Sequence, residues 1–209
     1  ERLRVSSLQP QEIDERMLGI WADLRLCPHF HIPLQSGSDD VLKRMRRRYT
    51  SRLYIETVEK VRRWVPNVSI TTDVIVGFPG ETDADFSRTY EICREAAFSD
   101  VHIFSYSVRP GTSAAYFRGR VAPSTKAERV QELTILSKKM AAQFRMEFEG
   151  DIRPVLWESG SDDNGTTLWS GLTDNYIRAS CRSDRPLANT VTPALLSAST
   201  TDLLEAVAL

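Results

Sequence analysis

The sequence predicts an α/β chain with parallel strands, followed by a small all-β unit, and three observations carry this. From residue 2 to about residue 148, apolar strand-like runs alternate with stretches of helical periodicity. Past Gly150 the pattern changes to short strands separated by clusters of Gly, Ser, Asp and Asn. The size, 209 residues with 41% hydrophobic and 26% charged, suits one medium domain plus a small one and excludes disordered or low-complexity classes.

Each element follows from its local pattern. Residues 2–7 alternate as a first strand, with Leu3 and Val5 on one face. Pro10 suits a first helical turn, and Ile13, Met17, Ile20 and Leu24 continue at helical spacing. Residues 30–34 read as a second strand, after which Ser38 or Asp39 caps a helix carrying Val41, Leu42 and Met45. A helix over residues 51–64 places Tyr54, Val58 and Val61 on one face and is stopped by Pro66. Residues 68–78 form a third strand ending in Gly77-Phe78-Pro79-Gly80, and Thr82 with Asp85 opens the next helix as a capping box. Residues 101–107 are a fourth strand, and Thr125 with Glu128 caps a long helix to about Phe148. Strands alternating with helices imply right-handed crossovers and a parallel sheet. Short strands at 152–158, 166–171, 176–181 and 190–197, with a turn cluster at 159–165, make a small antiparallel barrel or sandwich. The domains are therefore expected at 1–149 and 150–209.

Composition narrows function by exclusion. No run approaches a membrane span, and the amino terminus has no signal-peptide core, so a soluble cytoplasmic protein without a membrane partner is expected. Cys27, Cys93 and Cys181 lie 66 and 88 positions apart, which fits neither a disulfide framework nor a local metal motif. The net charge of -1 gives no global attraction to nucleic acid, yet residues 41–65 hold nine Lys or Arg against two Glu. From Asp151 onward four Arg face eight acids, so that part alone cannot rely on counterion release for affinity.

Ligands in parallel α/β folds lie beyond the carboxyl ends of strands. Here those ends carry Ser6-Ser7, Gln35 to Ser38, Thr71 to Asp73 with the Gly77 to Glu81 turn, and Ser105 to Ser107 with Arg109-Pro110-Gly111. Each loop alone reads as a turn. Four in register point to a site, with glycines letting main chain approach a flat ligand. His29 and His31 point the same way from one strand; with no third ligand nearby in sequence, they are read as structural or substrate-lining, and no metal site is assigned. The run from Lys43 to Arg48 reads as a solvated helix face, with phosphate contact as an equal alternative. Trp169 and Tyr176 are candidates for base stacking, with a core role preferred for aromatics in a small barrel.

Several stretches together resemble the radical-SAM methylthiotransferases: 27–39 (CPHFHIPLQSGSD), 46–50 (RRRYT), 72–82 (TDVIVGFPGET) and 104–112 (FSYSVRPGT). The stretch 171–177 (GLTDNYI) is similar to the TRAM domain of that family. The resemblance implies a partial radical-SAM (β/α) barrel followed by a TRAM, OB-like barrel. It implies S-adenosylmethionine and 4Fe-4S clusters as cofactors, a deoxyadenosyl radical that abstracts hydrogen from an unactivated carbon, and sulfur insertion with methyl transfer. The family's CxxxCxxC loop and its three further amino-terminal cysteines have no counterpart here. The chain is therefore expected to start mid-fold, to bind no cluster, to lack catalytic cysteines and to be inactive alone. Self-association through an exposed first strand is expected.

On the same resemblance, Ser6, Gln35 and Ser36 are placed like groups that contact the ribose or methionyl part of S-adenosylmethionine. Asp73, Val76 and Gly77 approach adenine or substrate, and Tyr106 and Arg109 close the last strand end. Arg46, Arg47, Arg48 and Tyr176 face tRNA. The wording of residues 29–38 is most similar to the branch acting on threonylcarbamoyladenosine beside the anticodon. The alternatives are the isopentenyladenosine and ribosomal-protein branches, or a non-catalytic RNA-binding module. A metabolic barrel enzyme binding a phosphate is disfavoured by Pro79, which removes a main-chain donor from the turn.

Overall fold

The computed structural model describes residues 2–163, 165–197 and 203–209. Three parallel strands, β1 (His29–His31), β2 (Ser69–Val76) and β3 (Asp100–Ser105), form one sheet in the order β1-β2-β3. Residue Thr71 stands opposite His31, and His102 opposite Asp73. Period-two alternation sorts this sheet. Phe30, Ile70, Thr72, Val74 and Val76 are buried, on the face against helices α3 (Ser51–Trp64), α4 (Asp83–Ala96) and α5 (Pro123–Met146). His29, His31, Thr71, Asp73, Ile75, His102 and Phe104 take the other face.

The helices that form as expected do so for local reasons. Ser38 caps α2 (Asp39–Arg44), its hydroxyl accepting from Val41 N, and Thr50 caps α3 by accepting from Leu53 N. Thr82 and Asp85 form the capping box of α4. The long helix differs: α5 starts at Pro123 with Ala122 at its cap, so Thr125 and Glu128 are inside it.

The amino-terminal region departs further from expectation. Residues 2–7 do not form a strand; Leu3 makes an isolated parallel bridge to Leu26, and Leu8 N donates to His31 O. The expected helix over 10–24 is broken into a 3-10 turn, α1 (Glu15–Leu18) and a second 3-10 turn. Asp14 is the cause: its side chain accepts from Met17 N and restarts the helix one turn after Pro10 began it.

The carboxy-terminal strands β4 (Ile152–Asp163), β5 (Thr166–Thr173), β6 (Arg178–Arg182), β7 (Val191–Ser197) and β8 (Leu204–Ala208) close into a barrel ordered β4-β5-β6-β8-β7. Two corrections apply. The β6-β8 pair is parallel, so the barrel is not wholly antiparallel. The expected turn at 159–165 is largely strand, since β4 continues to Asp163; Asn164, within that cluster, lies outside the described residues. Trp157, Val155, Leu196 and Ala194 fill the barrel. At Gly171 an added Cβ would lie 2.5 Å from Leu156 O, so only glycine lets β4 and β5 approach this closely.

Candidate functional site

The carboxyl ends of β2 and β3 and the loop after β1 surround a cleft of ≈ 450 Å³ lined by Gln35, Asp73, Ile75, Phe78, Tyr106 and Arg109, among others. Residue Gln35 is 6% exposed and takes φ 64°, a left-handed conformation that costs a non-glycine residue energy. The peptide around it is held on both sides, with Gln35 N donating to Asp73 O and Ile75 N donating to Gln35 O. Tyr106 packs edge-on to Phe78 at 5.2 Å, and its buried hydroxyl has no hydrogen-bond partner. An unpaired buried hydroxyl is costly, so this one stands out among the groups around the cleft.

Four of the eight residues assigned to the cofactor therefore meet: Gln35, Asp73, Tyr106 and Arg109. The others do not. Ser6 is exposed, lies opposite Ser7 Oγ at 3.4 Å and does not line the cleft. Ser36 is fully buried and turned toward α4, near Thr89 Oγ1 at 3.3 Å and accepting from Ser38 N. Val76 is buried on the helix-facing side. The Gly77 N–H is taken by Glu81 Oε2 at 2.6 Å, and an added Cβ there would strike the Lys126 side chain. Three strand-end glycines make room for the protein's own groups, whereas Gly111 faces open space. Gly37 makes room for the Thr89 main chain, and Gly80 for Arg44.

The basic run also differs from a helix face. Helix α2 ends at Arg44, whose guanidinium donates to Pro79 O; Arg46 and Arg48 are exposed on the following turn, and Arg47 is half-buried with an unpaired Nε. Arg46 and Arg47 flank a second depression that shares Gln35, Ile75 and Phe78 with the main cleft. Arg62 donates to Ala96 O and Ala97 O at the end of α4, so it is occupied structurally.

Below the cleft a polar network crosses the open sheet face. Arg4 Nε donates to His29 Nδ1 at 2.9 Å, which leaves the His29 proton on Nε2, donated to Thr71 Oγ1 at 3.1 Å. His31 Nδ1 meets the same hydroxyl at 3.0 Å, and its Nε2 lies 3.2 Å from Asp73 Oδ2. His102 Nδ1 is 3.1 Å from Asp73 Oδ1. Burial, then the charges of Arg4, His31 and His102, drives His29 down to about 3, so it stays neutral. No third ligand stands near the histidines in sequence; Asp73 and His102 arrive beside His31 from β2 and β3.

Tyr176 lies at the junction with the barrel, 4.5 Å from the His29 ring and 3.9 Å from the Arg4 guanidinium. Joined by a 2.9 Å hydrogen bond, Arg4 and His29 are too close together to sit on opposite faces of that ring. Both cover one face. Trp169, by contrast, is a core residue at 9% exposure.

Residues 5–93 match the model of the Radical SAM superfamily. A threonylcarbamoyladenosine tRNA methylthiotransferase (MtaB) of Thermotoga maritima is 48% identical over 158 residues, covering 75% of this chain and 36% of that protein. The Bacillus subtilis protein of the same name is 37% identical over 180 residues, covering 85% of this chain and 40% of that protein. A tRNA-2-methylthio-N(6)-dimethylallyladenosine synthase of Bacillus subtilis is 40% identical over 174 residues, or 83% of this chain and 34% of its own length. The chain is a homologue of the radical SAM methylthiotransferases. It spans about 40% or less of the length of these relatives. Coproporphyrinogen III oxidase (HemN) of Escherichia coli, a radical SAM enzyme, shares the fold with a TM-score of 0.57 at 13% identity, covering 83% of this chain and 46% of that one.

In this methylthiotransferase homologue the residues fit one family cofactor and not the other. The cleft's Gln35 amide, Asp73 carboxylate and unpaired Tyr106 hydroxyl suit the ribose and amino-acid groups of S-adenosylmethionine. An iron–sulfur cluster does not fit. Cys93 is buried among α3 and α4 side chains with its thiol pushed up to about 12 by burial, Cys181 is in the barrel core, and Cys27 is apart from both. Among the described residues no helix is long and apolar enough to cross a membrane.

Proposed function

We propose that this chain is the S-adenosylmethionine-facing and RNA-facing part of a tRNA methylthiotransferase acting on threonylcarbamoyladenosine. The observation that carries the reading is the strand-end cleft with its unpaired Tyr106 hydroxyl, in a chain 48% identical to a protein of that named activity. When bound, S-adenosylmethionine supplies the radical precursor and the methyl group. The chain's own groups position it. Gln35 and Tyr106 hydrogen-bond the polar edge of the nucleoside, Asp73 accepts from its hydroxyl or amino donors, and Arg109 balances carboxylate or phosphate at the rim. Arg46 and Arg47 supply phosphate contacts beside the cleft, exposed Arg48 supplies one from the same turn, and the partly exposed Tyr176 ring offers a platform for a base. The barrel over 150–209 is read as a TRAM domain, joined to the barrel fragment over 1–149.

Two measurements test this. Calorimetric titration of S-adenosylmethionine into the chain should show saturable binding that Tyr106→Phe weakens by about fivefold, the value of one hydrogen bond of ~1 kcal/mol. Equal binding by the variant overturns the assigned pose. Nucleoside analysis of tRNA from cells with the whole gene deleted should show loss of the methylthio group from threonylcarbamoyladenosine. Unchanged nucleosides overturn the function, and loss from the dimethylallyl nucleoside instead overturns the branch.

A further inference from the structure

The group formed by His31, Asp73 and His102 is not used by the reading above except through Asp73. Their ligand atoms all lie within 4.8 Å of one another, and among the described residues no other such group of three His, Cys, Asp or Glu occurs. They come from three adjacent strands, Asp73 opposite His102 and His31 opposite Thr71 two residues before Asp73, so the backbone of the sheet sets their spacing. The His31 Nε2 to Asp73 Oδ2 separation of 3.2 Å matches one ligand edge of a tetrahedral site, about 3.4 Å for bonds near 2.1 Å, while His102 Nδ1 lies 3.1 Å from the other oxygen, Oδ1. The edges to His102 close by rotation of that side chain, which is 51% exposed, while the His31 side chain is only 10% exposed and fixed.

We propose that His31 Nε2, His102 Nδ1 and Asp73 bind one divalent cation of borderline softness, of the zinc, cobalt or nickel type. Two imidazoles and one carboxylate favour that class over magnesium or calcium, which take all-oxygen shells. His31 has a hydrogen-bonded outer partner for the tautomer that ligation needs, and His102 has a carboxylate nearby beyond hydrogen-bond distance. Thr71 Oγ1, 3.0 Å from His31 Nδ1, accepts the proton there with its remaining lone pair, and Asp100 Oδ2 faces His102 Nε2 at 3.8 Å. Three protein ligands leave at least one position open toward the lumen above the sheet, where water or a ligand oxygen completes the shell. The site lies between the strand-end cleft, which Asp73 lines, and a lower cleft lined by Thr71, His102 and Tyr176. It needs no cysteine and is separate from any cluster.

The test uses the untagged chain and Zn2+ or Co2+ alone. Titration calorimetry should give one equivalent of Zn2+ bound, and Co2+ should develop visible absorption without a thiolate charge-transfer band. His102→Ala, at a half-exposed position, should lower affinity by about a hundredfold with an unchanged circular dichroism spectrum. Thr71→Val should lower it by about tenfold through the outer partner alone. Cys27→Ser should change nothing. The proposal is overturned if the wild-type chain shows no saturable binding, if His102→Ala binds as wild type, or if Cys27→Ser abolishes binding. None of these readouts depends on S-adenosylmethionine or tRNA, so failure here leaves the methylthiotransferase reading standing.

Discussion

His29 shows how a single side chain makes stability depend on pH. It is fully buried, accepts from Arg4 and donates to Thr71, and is held at about 3 chiefly by burial. The unfolded chain protonates its imidazole near 6.5, so between about pH 6.5 and 3 the unfolded state binds the extra proton. Its contribution is intact above pH 6.5 and is lost as pH falls through that window, by on the order of 4 kcal/mol. Urea midpoints of wild type and His29→Gln should diverge on going from pH 7 to pH 4, with wild type losing more; parallel curves would remove this role. The pairing of His29 with His31 on one strand face was legible, because strand alternation is local. Their partners were not. Arg4 and Asp73 reach them through an edge segment and a crossover, and no sequence spacing encodes that meeting.

Among elements, those with complete local signals formed as expected, and those with competing signals did not. Thr82 with Asp85, and Thr50 ahead of a long apolar stripe, each left one solution. The stretch 10–24 offered two starts, at Pro10 and at Asp14, and Leu24 at 99% exposure is outside the apolar stripe it was read into. Tertiary ion pairing was hidden in the same way. Glu81, in the turn resembling a ligand loop, accepts from Gly77 N and pairs with Arg129 of α5 at 2.6 Å, with side chains 1% and 5% exposed. Arg129 also reaches Asp83, so one guanidinium docks α5 on both the strand-end turn and the start of α4. Arg129→Met strands a buried carboxylate and should cost about 3–5 kcal/mol in chemical denaturation. Adding Glu81→Gln should recover part of that loss; no recovery would show that packing, not charge, dominates the joint.

At the scale of the whole molecule, two cores meet at a junction with distinct anchors. Phe148 packs in the barrel core, while Gly150 N donates to Leu196 O and Leu196 N donates to Asp151 O, so the end of α5 is tied into β7. Asn175, fully buried, donates to Asn67 O just before β2, Arg2 donates to Leu172 O, and Tyr176 stacks on His29 beneath Arg4. The first anchor is covalently continuous with the barrel and needs no help from the sheet. The second joins surfaces distant in sequence, and such contacts hold two cooperative units together only while they outweigh independent opening. The change from helix to strands near Gly150 was legible in the periodicity, but the junction was not, since its polar contacts carry no hydrophobic signature. Removing the Tyr176 ring deletes a stacked pair and a cation–π contact, together about 1–2 kcal/mol at a partly exposed site. The double substitution Asn175→Ala with Tyr176→Ala should therefore split a single calorimetric transition into two. Hydrogen exchange at Leu196, inside the barrel, should then follow the lower transition independently of Val74 in the sheet. A single unchanged transition in the double variant would mean that the α5 connection alone couples the two cores.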